Sequence, residues 1–262
     1  MSRIIYTFSL ILVFFFIPSS ISAETEAKKV AIIIDDFGNS MNGSKEILAL
    51  PIPLTIAVMP FLETSKSDAE WAHRLGHDVI VHLPMEPLKG KKSWLGPGAI
   101  TTDLSSDEVR LRVTAAIKDV PYAIGINNHM GSKVTADKRI MRIILEVCRE
   151  QGLIFIDSKT SPKSVVAELA NEIGVPYLEN ELFFDDVYTT QHIINQTKRL
   201  IKQLQVRDEV VAIGHVGPPG EKTAGVIKEF IPVIKTNARF VKAASLIEER
   251  EFIQEEKAQA PR

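Results

Sequence analysis

The stretch Val30-Ala31-Ile32-Ile33-Ile34-Asp35-Asp36-Phe37-Gly38 decides the fold. Its five leading residues are apolar without a polar break, whereas a half-exposed strand alternates apolar and polar residues. An unbroken apolar run of this length fits a strand buried on both faces, as in a parallel sheet covered by helices. The same grammar recurs outward along the chain, at Leu54–Val58, Val79–Val81, Ala123–Ile126, Leu153–Ile156, Leu182–Phe184 with Pro176–Leu178 as a partner, Val210–Ile213 and Phe240–Ala243. Amphipathic segments lie between the runs. Ser105-Ser106-Asp107-Glu108 has capping-box spacing ahead of Val109, Val113, Ala116 and Ile117. The stripe Ile140, Ile143, Ile144, Val147, Cys148 stops at Gly152, and Val165, Val166, Leu169, Ile173 stops at Gly174. Ile193, Ile194, Thr197, Leu200, Ile201 and Leu204 line a fourth helix. Regular strand–helix alternation predicts one α/β domain, either a barrel or a doubly wound sheet.

The ends and the composition bound the function. Arg3, the apolar run Ile4–Ile17 and the small residues Pro18 to Ala23 have the order of a secretory signal cleaved near residue 22 or 23. A spanning helix usually needs about 20 apolar residues, so no stable membrane span is expected after cleavage; the alternative is an uncleaved anchor. Residues 24–29 read as a linker, 30–248 as the domain and 249–262 as a charged, disordered tail. The net charge is −2 and no basic run exceeds a pair such as Lys91-Lys92, so nucleic acid is not an expected partner. Cys148 is the single cysteine, which excludes an internal disulfide framework; its place on a helical stripe reads as core. Nothing in the sequence sets the oligomeric state.

The chemistry lies in the polar residues at the end of each run. Val30–Ile34 ends in Asp35-Asp36, and Val79–Val81 in His82, with Glu86 shortly after it. Ala123–Ile126 ends in Asn127-Asn128-His129, Leu153–Ile156 in Asp157, Leu182–Phe184 in Asp185-Asp186, and Val210–Ile213 in Gly214-His215. In barrel and open α/β folds the loops after the strand C-termini converge on one face, where sites form. A lone Asp there is ordinarily a helix cap or turn former. Two adjacent carboxylates after a buried strand repel and need a counter-charge such as a metal. Asp with two His is a common open-site ligand set for zinc, which makes His82 and His129 candidate ligands. His215 is a candidate acid–base residue, since imidazole titrates near neutrality. Asp157 and Asp185 are supporting candidates, either of which would orient a protonated His215 or else brace or cap, and Glu86 is a weaker candidate for the site. His73, His77 and His192 read as surface or packing residues; Trp94 reads as a sugar platform or a loop anchor.

These stretches resemble a known family. Ala31 to Gly38 looks like the first motif of polysaccharide deacetylases of the NodB-homology type. His82-Leu83-Pro84-Met85-Glu86-Pro87, Gly125-Ile126-Asn127-Asn128-His129-Met130-Gly131-Ser132 and Ile213-Gly214-His215 resemble its divergent branch, over roughly residues 28–248. The resemblance implies a distorted (β/α)7-type barrel, a divalent metal, usually Zn2+, and an acetylated polysaccharide substrate. It assigns Asp35 as catalytic base, Asp36 as metal ligand and His215 as general acid. The usual second motif carries two histidines four apart; here Glu86 stands four residues after His82, so His129 or Glu86 completes the ligand set. The arginine that steadies the base in the family has no clear match, and Asn127, Asn128 or Lys159 are the candidates for its place. A catalytically silent glycan- or protein-binding barrel and a metal hydrolase of another class are the alternative readings.

Overall fold

Each of these apolar runs forms a strand in the computed structural model, which describes residues 27–259; the expected signal segment lies outside them. The elements are β1 (Lys29–Phe37), α1 (Ser44–Leu48), β2 (Thr55–Val58), α2 (Ser65–Arg74), β3 (Asp78–Met85), α3 (Ser106–Asp119), β4 (Ala123–Met130), α4 (Lys138–Gln151), β5 (Ile154–Asp157), α5 (Val166–Ile173), β6 (Tyr177–Glu179), β7 (Leu182–Phe183), α6 (Thr190–Gln203), β8 (Glu209–His215), α7 (Gly220–Lys235), β9 (Arg239–Val241) and α8 (Ala243–Gln259). The predicted caps are in place. Ser105 and Glu108 close a capping box on α3, and Gly152 and Gly174 end α4 and α5 in the left-handed conformation.

The strands form one parallel sheet in the order β6-β5-β4-β3-β2-β1-β8-β7, with β9 beside the start of β1. The two outermost strands, β6 and β7, are joined only by Asn180-Glu181. The sheet therefore curls into an open α/β barrel whose ends meet at a chain link instead of a ladder.

Strand alternation splits the core in two. Val30, Ile32 and Ile34 face outward and pack with residues of helices α1 to α7. Ala31 and Ile33 face inward and join Ala57, Ile80, Ile156, Val211 and Ile213 in a small interior cluster. Ala243, Leu246 and Ile247 of α8 close that cluster at the N-terminal end of the strands. Glu249 pairs with Arg239 at 2.5 Å and with Lys29, and Arg250 pairs with Glu209. These pairs dock the charged residues against the barrel floor, and the helix runs on to Gln259. Among the described residues no helix is long and apolar enough to cross a membrane.

Candidate metal and catalytic site

On the interior face Thr55 and Asp78 meet α8 at the N-terminal strand ends, and the acids, histidines and amides of the sequence motifs gather at the C-terminal strand ends. Continuing the inward series Ala31, Ile33 places Asp35 inside, where it is almost fully buried. Regular alternation would then turn Asp36 outward. Instead Asp36 takes a left-handed backbone, φ 72°, and the register of β1 against β2 slips between Ile34 and Phe37. Asp and Asn tolerate this conformation better than other non-glycine residues. The kink brings both carboxylates to one mouth. A second irregularity acts on β4. Val79 pairs with Ala123 but Val81 with Ile126, so β4 holds one extra residue. Past that bulge Asn127 stands beside His82 and His129 beside Pro84, on the inward face. On the other side of β1, Asp35 lies in register with His215 of β8.

Three ligand-type atoms converge. His82 Nε2 is 3.2 Å from Asp36 Oδ1, His129 Nδ1 is 3.1 Å from the same oxygen, and the two ring nitrogens are 3.0 Å apart. The neighbours fix both tautomers. Asn127 Nδ2 donates to Asp35 Oδ1 at 2.8 Å, which turns Asn127 Oδ1 to His82 Nδ1, also at 2.8 Å. An amide oxygen only accepts, so His82 Nδ1 carries a hydrogen and, in the neutral ring that a metal requires, Nε2 bears a lone pair. The main-chain oxygen of Trp94 lies 3.1 Å from His129 Nε2, so that nitrogen carries the hydrogen and Nδ1 bears the lone pair. Lone pairs of two imidazoles and a carboxylate thus face one point. Asp36 Oδ1 is buried and has no hydrogen-bond partner of good geometry. Such a set calls for a cation. Ligand atoms about 2.0–2.1 Å from a tetrahedral Zn2+ stand about 3.3 Å apart, close to the triangle seen here. The residues fit a divalent metal, and among the described residues this is the one cluster of three that does.

The flanking groups are electrostatically distinct. Burial raises the Asp35 carboxyl above its usual range, against the opposing influence of His82 and His215. Burial also acts on Asp36, but the His129 and His82 rings beside it, with the positive charge at His215, outweigh it and hold that carboxyl well below the usual range. For His215 burial favours the neutral ring, yet the hydrogen bond and charge of Asp185 prevail, aided by Asp36 and Asp35, and lift it to about 9. His215 Nδ1 meets Asp185 Oδ1 at 2.7 Å, and its main-chain N–H donates to Asp185 Oδ2 at 2.9 Å. The Thr223 hydroxyl donates to that same Oδ2 at 2.6 Å. Phe183 stacks on the His215 ring. With Nδ1 committed to Asp185, Nε2 is the nitrogen left to serve the cleft.

The structure separates the remaining candidates. Glu86 turns away from the cluster, accepting from Lys133 Nζ and from the Thr102 N–H and hydroxyl, each at 2.8 Å; it braces a loop and leaves the third ligand position to His129. Asp157 does not orient His215. It accepts from the Lys159 N–H at 2.8 Å and the Ser164 hydroxyl at 2.6 Å, closing the turn after β5. Asn128 accepts from the Ser158 N–H and donates to Met130 O, tying β4 to β5. Lys159 pairs with Glu179, so Asn127 is the residue that holds Asp35. His73 stacks on Tyr122, His77 accepts from the Leu54 N–H, and His192 pairs with Asp186. Burial pushes the Cys148 thiol up to about 12, in keeping with a core residue.

The site opens into a cleft of about 400 Å3, bounded by Pro87, Met130, Phe183 and Tyr188. A sequence model of divergent polysaccharide deacetylases matches residues 32–247. The chain belongs to that family. It is 34% identical to the uncharacterised protein YibQ of Escherichia coli K12 over 230 residues, covering 88% of this chain and 70% of YibQ. Its fold is similar to that of the uncharacterised protein ATU2773 of Agrobacterium tumefaciens C58, with a TM-score of 0.79 at 18% identity, over 86% of this chain and 91% of that one. It is also similar to the Bc1960 peptidoglycan N-acetylglucosamine deacetylase, with a TM-score of 0.55 at 15% identity, over 84% and 88% of the two chains. Sequence reading of this family member missed Thr223, Phe183, Tyr188 and the Trp94 carbonyl. Thr223 sits on a helix and the carbonyl belongs to no side chain, so neither carries a motif. Tyr188 and Phe183 flank Asp185-Asp186, and aromatics beside a run-terminal acid were the available signal.

Proposed function

We propose that this chain is an exported, divalent-metal-dependent hydrolase that removes acetyl groups from an acetylated polysaccharide, with peptidoglycan glycan as the substrate class and Zn2+ as the metal. The carrying observation is the convergence of three lone pairs, from Asp36, His82 and His129, between a buried carboxylate and an imidazolium on neighbouring strands. Family membership supports the reaction class, the fold likeness to a peptidoglycan deacetylase is consistent with the glycan, and the charge–apolar–small order of residues 1–23 supports export.

A metal held by Asp36, His82 and His129 supplies the Lewis acid that polarises the acyl oxygen and acidifies the attacking water. The chain's own residues handle the protons. Asp35, oriented by Asn127, accepts the proton that water loses as it adds to the acyl carbon. His215 is kept cationic by Asp185, and its Nε2 delivers a proton to the leaving amine nitrogen or alkoxide oxygen as the C–N or C–O bond breaks. Acetate and the deacylated sugar result. Asn127 also holds the His82 tautomer, so one amide serves both the base and a ligand.

The test is acetate release from N- and O-acetylated glycans by zinc-loaded protein, alongside metal content. Asp35→Asn is expected to keep the metal and lose turnover, and His129→Ala to lose the metal. Full metal occupancy in the His129 variant would overturn the ligand set; no acetate from any acetylated glycan would favour a binding barrel.

A further inference from the structure

The segment between β3 and α3 reaches the metal-ligand cluster through one main-chain atom, the Trp94 oxygen on His129 Nε2. The C-terminal side of that segment is fixed. Ile100 N–H donates to Pro84 O and Glu86 N–H to Ile100 O, both at 2.8 Å, and Ala99 O accepts from Arg112 at 2.6 Å. In the part before it the side chains of Leu88 and Trp94 are largely exposed, and Leu95 is the buried anchor. Gly90, Gly96 and Gly98 all have positive φ, which gives the segment three points at which the backbone turns without a side-chain penalty.

We propose that residues 89–98 form a strap whose seating is thermodynamically coupled to metal binding, with the Trp94 carbonyl as the positioning group for His129. The coupling rests on the metal reading of the site. A carbonyl accepts and cannot donate, so the seated strap selects the His129 tautomer whose Nδ1 lone pair faces Asp36 and His82. With the strap lifted, Nε2 meets water, which both donates and accepts, and neither the tautomer nor the ring orientation is held. An ion that needs the Nδ1 lone pair therefore favours the seated strap, and the seated strap raises affinity for the ion by the same factor. Outer partners of this kind change metal affinity by about 10- to 100-fold.

The experiment is a titration of the full chain with zinc ion alone. Hydrogen exchange is monitored across 89–98, in particular at the Trp94 amide, which donates to Lys91 O at 3.0 Å. Exchange there is expected to slow on zinc addition. Gly96→Val places a β-branched residue at φ 81°, with its Cβ 2.8 Å from Met59 Cε, and displaces the strap without touching a ligand. It is expected to weaken zinc binding about 10- to 100-fold, with 15N imidazole shifts showing His129 as a tautomer mixture in the metal-free protein. Should the variant fail to fold, exchange in the wild-type chain decides alone. Zinc binding with unchanged exchange across 89–98 overturns the coupling and leaves the metal reading standing. Absence of zinc binding by the wild-type chain overturns both.

Discussion

Replacing Asp185 by Asn isolates what holds His215 in its cationic form. Asp185 is fully buried and meets the ring at 2.7 Å, and the ring titrates at about 9 against an ordinary value of 6.5. At about 1.4 kcal/mol per pKa unit, that interval corresponds to about 3 kcal/mol favouring the imidazolium in the folded state. Asn keeps an acceptor for the Thr223 hydroxyl and the His215 N–H but removes the charge. Burial then prevails, and His215 in the variant should titrate at or below 6.5. Proton uptake sets the sign for stability. Between pH 6.5 and 9 the folded wild-type chain binds a proton at His215 that the unfolded chain does not, so its stability falls as pH rises through that window. The stability that wild type holds over the variant should therefore be largest below pH 6.5 and shrink by about 3 kcal/mol by pH 9. Two measurements check this on metal-free protein, an NMR titration of the His215 ring and urea unfolding at about pH 6, 7.5 and 9. If the wild-type ring titrates near 6.5, or if Asp185→Asn leaves it in place, the acid assignment fails. In turnover of the proposed acetylated substrate the same substitution should move the alkaline limb of kcat downward by at least about 2.5 pH units.

Other perturbations probe the surrounding bonds. Asn127→Leu leaves the buried Asp35 Oδ1 and His82 Nδ1 without their partner; it should cost about 1–3 kcal/mol in chemical unfolding and weaken zinc binding about 10- to 100-fold by chelator competition. Thr223→Val removes one donor to a buried carboxylate and should destabilise by about 1.5–3 kcal/mol, with Thr223→Ser restoring most of it. Glu86→Gln should leave zinc affinity within about twofold and alter stability by less than about 1 kcal/mol; a tenfold loss of zinc affinity would return Glu86 to the ligand set.

Much of the barrel was legible because buried parallel strands announce themselves as unbroken apolar runs, and each of those named is a strand. Their ends were harder to read. β1, β3 and β4 continue through Asp36, His82 and His129, because polar side chains pointing into a barrel mouth do not interrupt ladder pairing. The sequence brings Asp36, His82 and His129 into the right neighbourhood but does not choose between His129 and Glu86. That choice is made by a one-residue bulge in β4 and by a lysine and threonine that claim Glu86, none of which has a local signature. The charged residues after 248 carry no local signature of docking either. A charged segment looks solvated until the opposite charges of Lys29, Arg239 and Glu209 are seen on the barrel floor beside it.

The left-handed turn at Asp36 limits that position twice over, from two unrelated directions. The backbone admits Gly, Asn and Asp with least strain, and the convergence of ring nitrogens asks for an anionic oxygen. Only aspartate satisfies both vocabularies. Glutamate keeps the charge and loses the backbone's consent, while asparagine does the reverse. A substitution that chemists would regard as the mildest, one added methylene, thus meets a stereochemical cost of about 1–2 kcal/mol before its displaced carboxylate is ever tested against the ring nitrogens.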